Sequence, residues 1–85
     1  MSQRAKLIAD ICNNPRDVRF EDACKIAGWL GFVSDKNSGG SHRAYSRPGE
    51  PTGLNFQNRG GKIVPYQARQ LIEMIERYGH EIGID

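Results

Sequence analysis

Apolar residues recur at helical spacing in three segments of the chain. The segment 3–12 places four of them on one stripe: Leu7, Ile8, Ile11 and Cys12. A second segment, from about Arg19 to Leu30, aligns Ala23, Ile26, Ala27 and Leu30, with Trp29 flanking them, and Gly31 is suited to cap its end. The third begins at Pro65 and aligns Ala68, Leu71, Ile72, Ile75 and Tyr78, before Gly79 ends it. The pattern therefore predicts three helices that each direct one face at a core.

Between the second and third helices the pattern changes to that of short strands. Residues 32–36 and 41–46 are joined by Asn37-Ser38-Gly39-Gly40, which is a hairpin signal, and residues 47–53 are rich in turn-forming proline and glycine. Residues 54–57 alternate, so that Leu54 and Phe56 point to one side and Asn55 and Gln57 to the other. The order predicts an α+β fold: a three-stranded antiparallel sheet with helices packed on one face and the other face open to solvent.

His42 is the residue of this sheet that could carry chemistry. Alternation along 41–46 puts His42, Ala44 and Ser46 on one face, with Arg43 and Tyr45 on the other. If Tyr45 packs beneath the helices, His42 points to the open face, where a substrate could reach it. Imidazole exchanges protons near neutral pH, but a lone histidine is more often a structural or incidental surface residue. The residues alone leave both interpretations open.

Composition and charge narrow the class of partner. The chain has 85 residues, 38% of them hydrophobic and 26% charged, as expected of one globular domain. The segment 36–69 holds six Lys or Arg residues and one acid, a charge of +5, whereas the rest holds six cations and nine acids, a charge of −3. A histidine among cations suggests chemistry on a phosphate-bearing partner, and RNA is the leading candidate. The alternative is that these cations only form a solvated surface.

Other classes of protein find less support. No apolar run approaches the roughly 20 residues that span a membrane, and the N-terminus does not resemble a secretory signal, so we expect a cytoplasmic protein. Cys12 and Cys24 are expected to be buried free thiols rather than a disulfide. Neither histidine has metal-ligand spacing to a cysteine or carboxylate, so we expect no metal and no cofactor.

The start of the third helix adds candidate contacts. Tyr66 could stack on a base or pack against the edge of the sheet, and we favour packing. Gln67 and Arg69 could contact RNA or a protein partner, although an ordinary solvated helix face is the default interpretation.

One ordered set of residues runs through most of the chain, from about Val18 to Gly79: Gly28-Trp29, Gly40-Ser41-His42 with Tyr45, Pro48-Gly49, Leu54-Asn55-Phe56-Gln57, Gly61-Lys62, and Pro65-Tyr66-Gln67 with Arg69-Gln70. This set resembles the HicA family of bacterial toxins, the ribonuclease half of HicA–HicB toxin–antitoxin pairs. The resemblance implies a fold like the double-stranded-RNA-binding domain. It also implies mRNA cleavage with His42 as the catalytic residue. The implied partner is a HicB-type antitoxin that covers this histidine, and the toxin would contact DNA only indirectly, through the antitoxin.

The candidate site then comprises His42 as catalyst, with a set of residues that bind RNA or support the transition state: Gly40, Ser41, Arg43, Lys62, Tyr66 and Arg69. A water, Tyr66 or a group of the substrate could supply the second proton transfer. Two features depart from the family. Residues 1–17 form an extra helical segment, which we expect to cap the core rather than to extend the antitoxin contact. Residues 57–62 are less basic than the corresponding stretch of many relatives.

Two other functions compete with catalysis. The same basic face could serve a non-catalytic RNA-binding or interaction module. A helix–turn–helix DNA-binding protein is disfavoured, because Glu21 and Asp22 would stand at the end of the recognition helix that meets the bases.

Overall fold

Three α-helices and three β-strands follow one another in the order α1, α2, β1, β2, β3, α3. The structure is a computed structural model that describes residues 3–35 and 41–82. The elements are α1 (Gln3–Asn13), α2 (Phe20–Trp29), β1 (Val33–Ser34), β2 (His42–Ser46), β3 (Leu54–Gln57) and α3 (Pro65–Tyr78), followed by a 3₁₀ turn (Gly79–Ile82). The expected α+β class is confirmed. The predicted hairpin turn at 37–40, and Lys36 before it, lie outside the described residues.

The sheet is antiparallel in the order β1-β2-β3, as the sequence predicts. Tyr45 pairs with Leu54, and both are buried, as is Phe56 further along β3. Helices α2 and α3 contact β3 from this side, so Leu54 and Phe56 point inward as alternation predicted. The alternate positions of β3, Asn55 and Gln57, are exposed.

Helix α1 caps the core by packing on α3. Its residues Ile8 and Ile11 are only 6% and 4% exposed and belong to the central apolar cluster, as the capping role requires. The prediction for Cys12 is wrong, because this thiol is exposed at the edge of the helical stripe, and the buried residues of α1 are Ala5, Ile8 and Ile11. Cys24 on α2 is half-buried, and neither cysteine forms a disulfide.

Glycine was expected to end both α2 and α3, and the two helix ends differ. Gly31 has φ +91° and follows α2, with its N–H donating to the carbonyl of Gly28 at 3.1 Å and the N–H of Phe32 donating to Ala27 at 3.0 Å. This is the predicted glycine cap. Gly79 instead keeps right-handed helical geometry at φ −58° and leads into the 3₁₀ turn, so it changes the helix type rather than ending the helical path.

The loop between β2 and β3 is anchored to the end of α3 through Glu50. Its carboxylate accepts hydrogen bonds from Tyr78 Oη at 2.5 Å and Arg77 Nη1 at 2.7 Å, and its side chain is 1% exposed. These bonds, Tyr78 first and then Arg77, hold the pKa of Glu50 at about 2. Arg47 lies over the ring of Tyr78, 3.8 Å from its centroid. A segment predicted only as a turn therefore connects the sheet to the helical layer.

No helix within residues 3–35 and 41–82 is both long and apolar enough to cross a bilayer.

Candidate active site

His42 is the first residue of β2 and lies exposed on the face of the sheet away from the helices. Its partner across the strands is Gln57, the last residue of β3. The N–H of Asn58 donates to the carbonyl of Ser41 at 2.7 Å, so this bond flanks the pair. His42 and Gln57 thus occupy a non-hydrogen-bonded position, at which facing Cα atoms are only about 4.5 Å apart. Gln57 is therefore the residue of β3 that directly faces His42.

Gln67 connects this pair to the start of α3. Its Oε1 accepts a hydrogen bond from the backbone N–H of Gln57 at 3.0 Å, which satisfies the donor that β3 turns toward its free edge. The neighbouring Tyr66 remains 63% exposed, and its hydroxyl accepts a bond from Gln70 Nε2 at 3.3 Å. The favoured prediction that Tyr66 packs against the sheet edge is therefore wrong, since the side chain of Gln67 makes the contact to that edge.

The open face of the sheet is polar and carries one acid beside the histidine. Strand register and alternation place seven described residues on it: Val33, Asp35, His42, Ala44, Ser46, Asn55 and Gln57. Asp35 directly follows β1, and its N–H donates to the carbonyl of Ala44 at 2.8 Å. Val33 is 64% exposed at the outer strand, so the face offers apolar and amide surface beside one imidazole.

Arg43 lies on the other side of the sheet from His42, opposite Phe56. It lines a cavity of about 500 Å³ together with Phe20, Cys24 and Lys25 of α2. There it is close to the hydroxyl of Tyr45, whose pKa is raised by burial and by a hydrogen bond with Cys24, while Arg43 opposes the shift. The alternation had placed Arg43 with Tyr45, and the structure does not bring it to His42.

Lys62 forms an ion pair with Asp17, just before α2. The hydrogen bond and charge of Lys62 hold the pKa of Asp17 below its usual value. Arg69 is exposed on α3, and Ser41 is exposed beside His42. Gly40 lies outside the described residues. Of the candidate residues, Ser41 is therefore the one that the structure places directly beside His42, while Tyr66 precedes Gln67, which bonds β3.

Two residues of the site escaped prediction. Gln57 was expected on the open face but not opposite His42, and Gln67 was expected to be a solvated helix residue. The alternation of residues 54–57 predicts which face Gln57 lies on. It does not predict the strand register that pairs Gln57 with His42, because the register depends on contacts between strands. The described residues contain no group of three or more His, Cys, Asp or Glu residues able to hold a metal ion.

The comparisons with known proteins leave the site to be interpreted from its geometry. No protein-family model, curated protein or solved structure matches the chain.

Proposed function

We propose that the protein is an endoribonuclease that cleaves single-stranded mRNA with His42 and without a metal ion. One observation carries the proposal: an exposed imidazole stands at the end of an open, polar sheet face, at the strand position directly opposite Gln57. Such a face can accommodate unpaired bases through amide and apolar contacts, because these contacts do not require a charged partner. The exposed phenol of Tyr66, on the helix that Gln67 ties to β3, adds a surface on which a base can stack.

In the proposed reaction the ribose 2′-oxygen attacks the adjacent phosphorus and the 5′-oxygen leaves. The products are a 2′,3′-cyclic phosphate and a 5′-hydroxyl. His42 acts as general base on the 2′-hydroxyl or as general acid toward the leaving 5′-oxygen, and a positioned proton-transfer group contributes about 10²–10⁴-fold to the rate. The Gln57 amide N–H groups can donate to the charged phosphorane-like transition state. Water or Tyr66 supplies the second proton transfer.

We further propose that a HicB-type antitoxin inhibits the enzyme by covering the open sheet face around His42, which would make the protein a toxin that acts on mRNA in the cytoplasm. The support is the resemblance carried by Gly40-Ser41-His42 and the motifs after it, together with the exposure of this face. Hydrogen exchange with and without the antitoxin tests the masking. Unchanged protection across residues 41–45 in the complex would argue against it.

The experiment for catalysis incubates purified protein with labelled single-stranded RNA in EDTA. Wild type should cleave it, His42→Ala should lose at least 10²-fold in rate, and His80→Ala should cleave as wild type does. His80 is a matched control because it is an exposed histidine in the 3₁₀ turn, outside the sheet. Equal cleavage by wild type and His42→Ala would refute the catalytic role.

A non-catalytic RNA-binding module is the alternative. It is favoured by the open-face residues of β2 and β3, among which His42 is the one acid–base side chain. This alternative predicts that wild type binds the labelled RNA in EDTA and leaves it intact, and that His42→Ala changes the dissociation constant alone.

A further inference from the structure

Two isolated β-bridges, Arg59–Lys62 and Arg19–Lys62, form a small backbone ladder just after the end of β3 that faces His42. Residues 59–62 form a two-residue hairpin in which Gly60 and Gly61 have φ +62° and +90°, values that suit a type I′ turn. The N–H of Arg59 donates to Lys62 at 2.8 Å, and the return bond is 3.2 Å. Lys62 in turn faces Arg19, and two bonds flank this second pair: from Phe20 to Gly61 at 2.9 Å and from Ile63 to Val18 at 3.0 Å.

The ladder directs three cations to one side. Val18, Phe20 and Ile63 are buried, so the alternating positions Arg19 and Lys62 point outward. Arg59 is the direct partner of Lys62 and therefore shares its side. All three are exposed, and we call Arg19, Lys62 and Arg59 the cationic ladder.

Adjacent like charges in a ladder are destabilising unless an opposite charge compensates them. Asp17 forms an ion pair with Lys62 of the ladder. Glu21 also lines the cavity of about 290 Å³ next to Arg19 and Lys62. Asp10 and Asp22 line a second cavity, of about 310 Å³, with Arg19 and Lys62. Acids therefore flank these two cations, while the three cations of the ladder share one exposed side on which a polyanion can contact them.

The ladder is also well placed relative to the candidate catalyst. Gln57 stands opposite His42, and Arg59 follows Gln57 by two residues, which is about 7 Å along an extended chain. A nucleic acid strand that crosses the His42 end of the sheet can therefore continue over the ladder. Arginine suits this contact, since its planar guanidinium donates two parallel hydrogen bonds to a phosphate.

We propose that the cationic ladder binds the backbone phosphates of the RNA strand next to the bond cleaved at His42. This inference rests on the proposed ribonuclease function. It assigns phosphate binding to Arg19, which lies outside the basic segment of the sequence, and it gives Lys62 a role in holding substrate rather than in stabilising the transition state.

The test measures binding of a fluorescent single-stranded RNA to His42→Ala protein as a function of potassium chloride concentration. In that background, Arg19→Gln, Arg59→Gln and Lys62→Gln should each raise the dissociation constant about fivefold, the effect of losing one ion contact in water. Each should also reduce the slope of log affinity against log salt by about 0.7. Lys6→Gln, at an exposed position on α1, is the control of equal charge change, and circular dichroism verifies that each variant folds.

The outcomes separate the two proposals. If the three ladder variants match Lys6→Gln in affinity and in salt slope while wild type still cleaves RNA, the phosphate-binding inference is refuted and the ribonuclease function stands. If the His42→Ala protein binds no RNA and wild type cleaves none, both fail. If the ladder variants weaken the binding of single-stranded DNA as much as that of RNA, the result still supports a phosphate site. Selectivity for RNA would then have to come from contacts outside the ladder.

Discussion

The docking of α1 on the core can be tested by truncating one buried side chain. Ile11 is 4% exposed and lies in the same apolar cluster as Leu71 and Met74 of α3. Replacing a well-buried isoleucine with alanine costs about 2–5 kcal/mol, because the transfer energy of the lost carbons adds to the cost of the cavity. A domain of 85 residues has a total stability of about 4–13 kcal/mol, on the order of 0.1 kcal/mol per residue. Ile11→Ala should therefore remove a large part of the stability of the protein.

Urea unfolding followed by circular dichroism measures this loss. Cys12→Ala is the matched control, since it changes the next residue of the same helix at an exposed position and should change the free energy of unfolding by less than about 0.5 kcal/mol. A loss near 3 kcal/mol would also lower Tm by roughly 12–24 °C for a domain of this size. If Ile11→Ala and Cys12→Ala unfold at the same urea concentration, α1 does not belong to the cooperative core and our account of residues 3–13 is wrong.

Two further predictions concern the contacts that connect the sheet to α3. The pKa of Glu50 is about 2, lowered from 4.5, so its carboxylate stabilises the fold above pH 4.5 and this contribution is lost as the pH falls toward 2. Wild type should therefore lose stability over that window more steeply than Glu50→Gln in urea titrations, and parallel curves would contradict the assignment. Gln67→Ala should accelerate hydrogen exchange at the amide of Gln57 several-fold, because its acceptor at 3.0 Å is removed, whereas Gln70→Ala should not. Equal exchange in the two variants would show that Gln67 does not hold the strand end.

Much of the fold follows from local patterns that the chain carries in each segment. Alternation was enough to direct Leu54 and Phe56 inward and His42 outward, because side chains of a strand alternate whatever the strand pairs with. Gly31 was recognisable as a cap, since the left-handed geometry there favours glycine. The exposed Cys12 shows the limit of such patterns, because a residue at the edge of a helical stripe can fall on either side of the buried boundary.

The site itself needed contacts between distant segments. Three placements decide its chemistry: Gln57 opposite His42, Gln67 on the free edge of β3, and Arg19 beside Lys62. None follows from spacing along the chain. Arg43 is next to His42 in sequence, and Lys62 belongs to the same basic segment. The structure nevertheless places Arg43 on the other face of the sheet and pairs Lys62 with Asp17.

The sequence by itself determined the order and type of the elements, the buried face of each, and the exposure of a single histidine on an open sheet. These depend on the period of apolar residues, which is local. Only the tertiary structure decided which side chains surround His42 and which cations form the ladder. Strand register and the packing of 17–20 against 61–63 arise from the joint burial of residues far apart in the chain, such as Val18 and Ile63. No single segment contains that information.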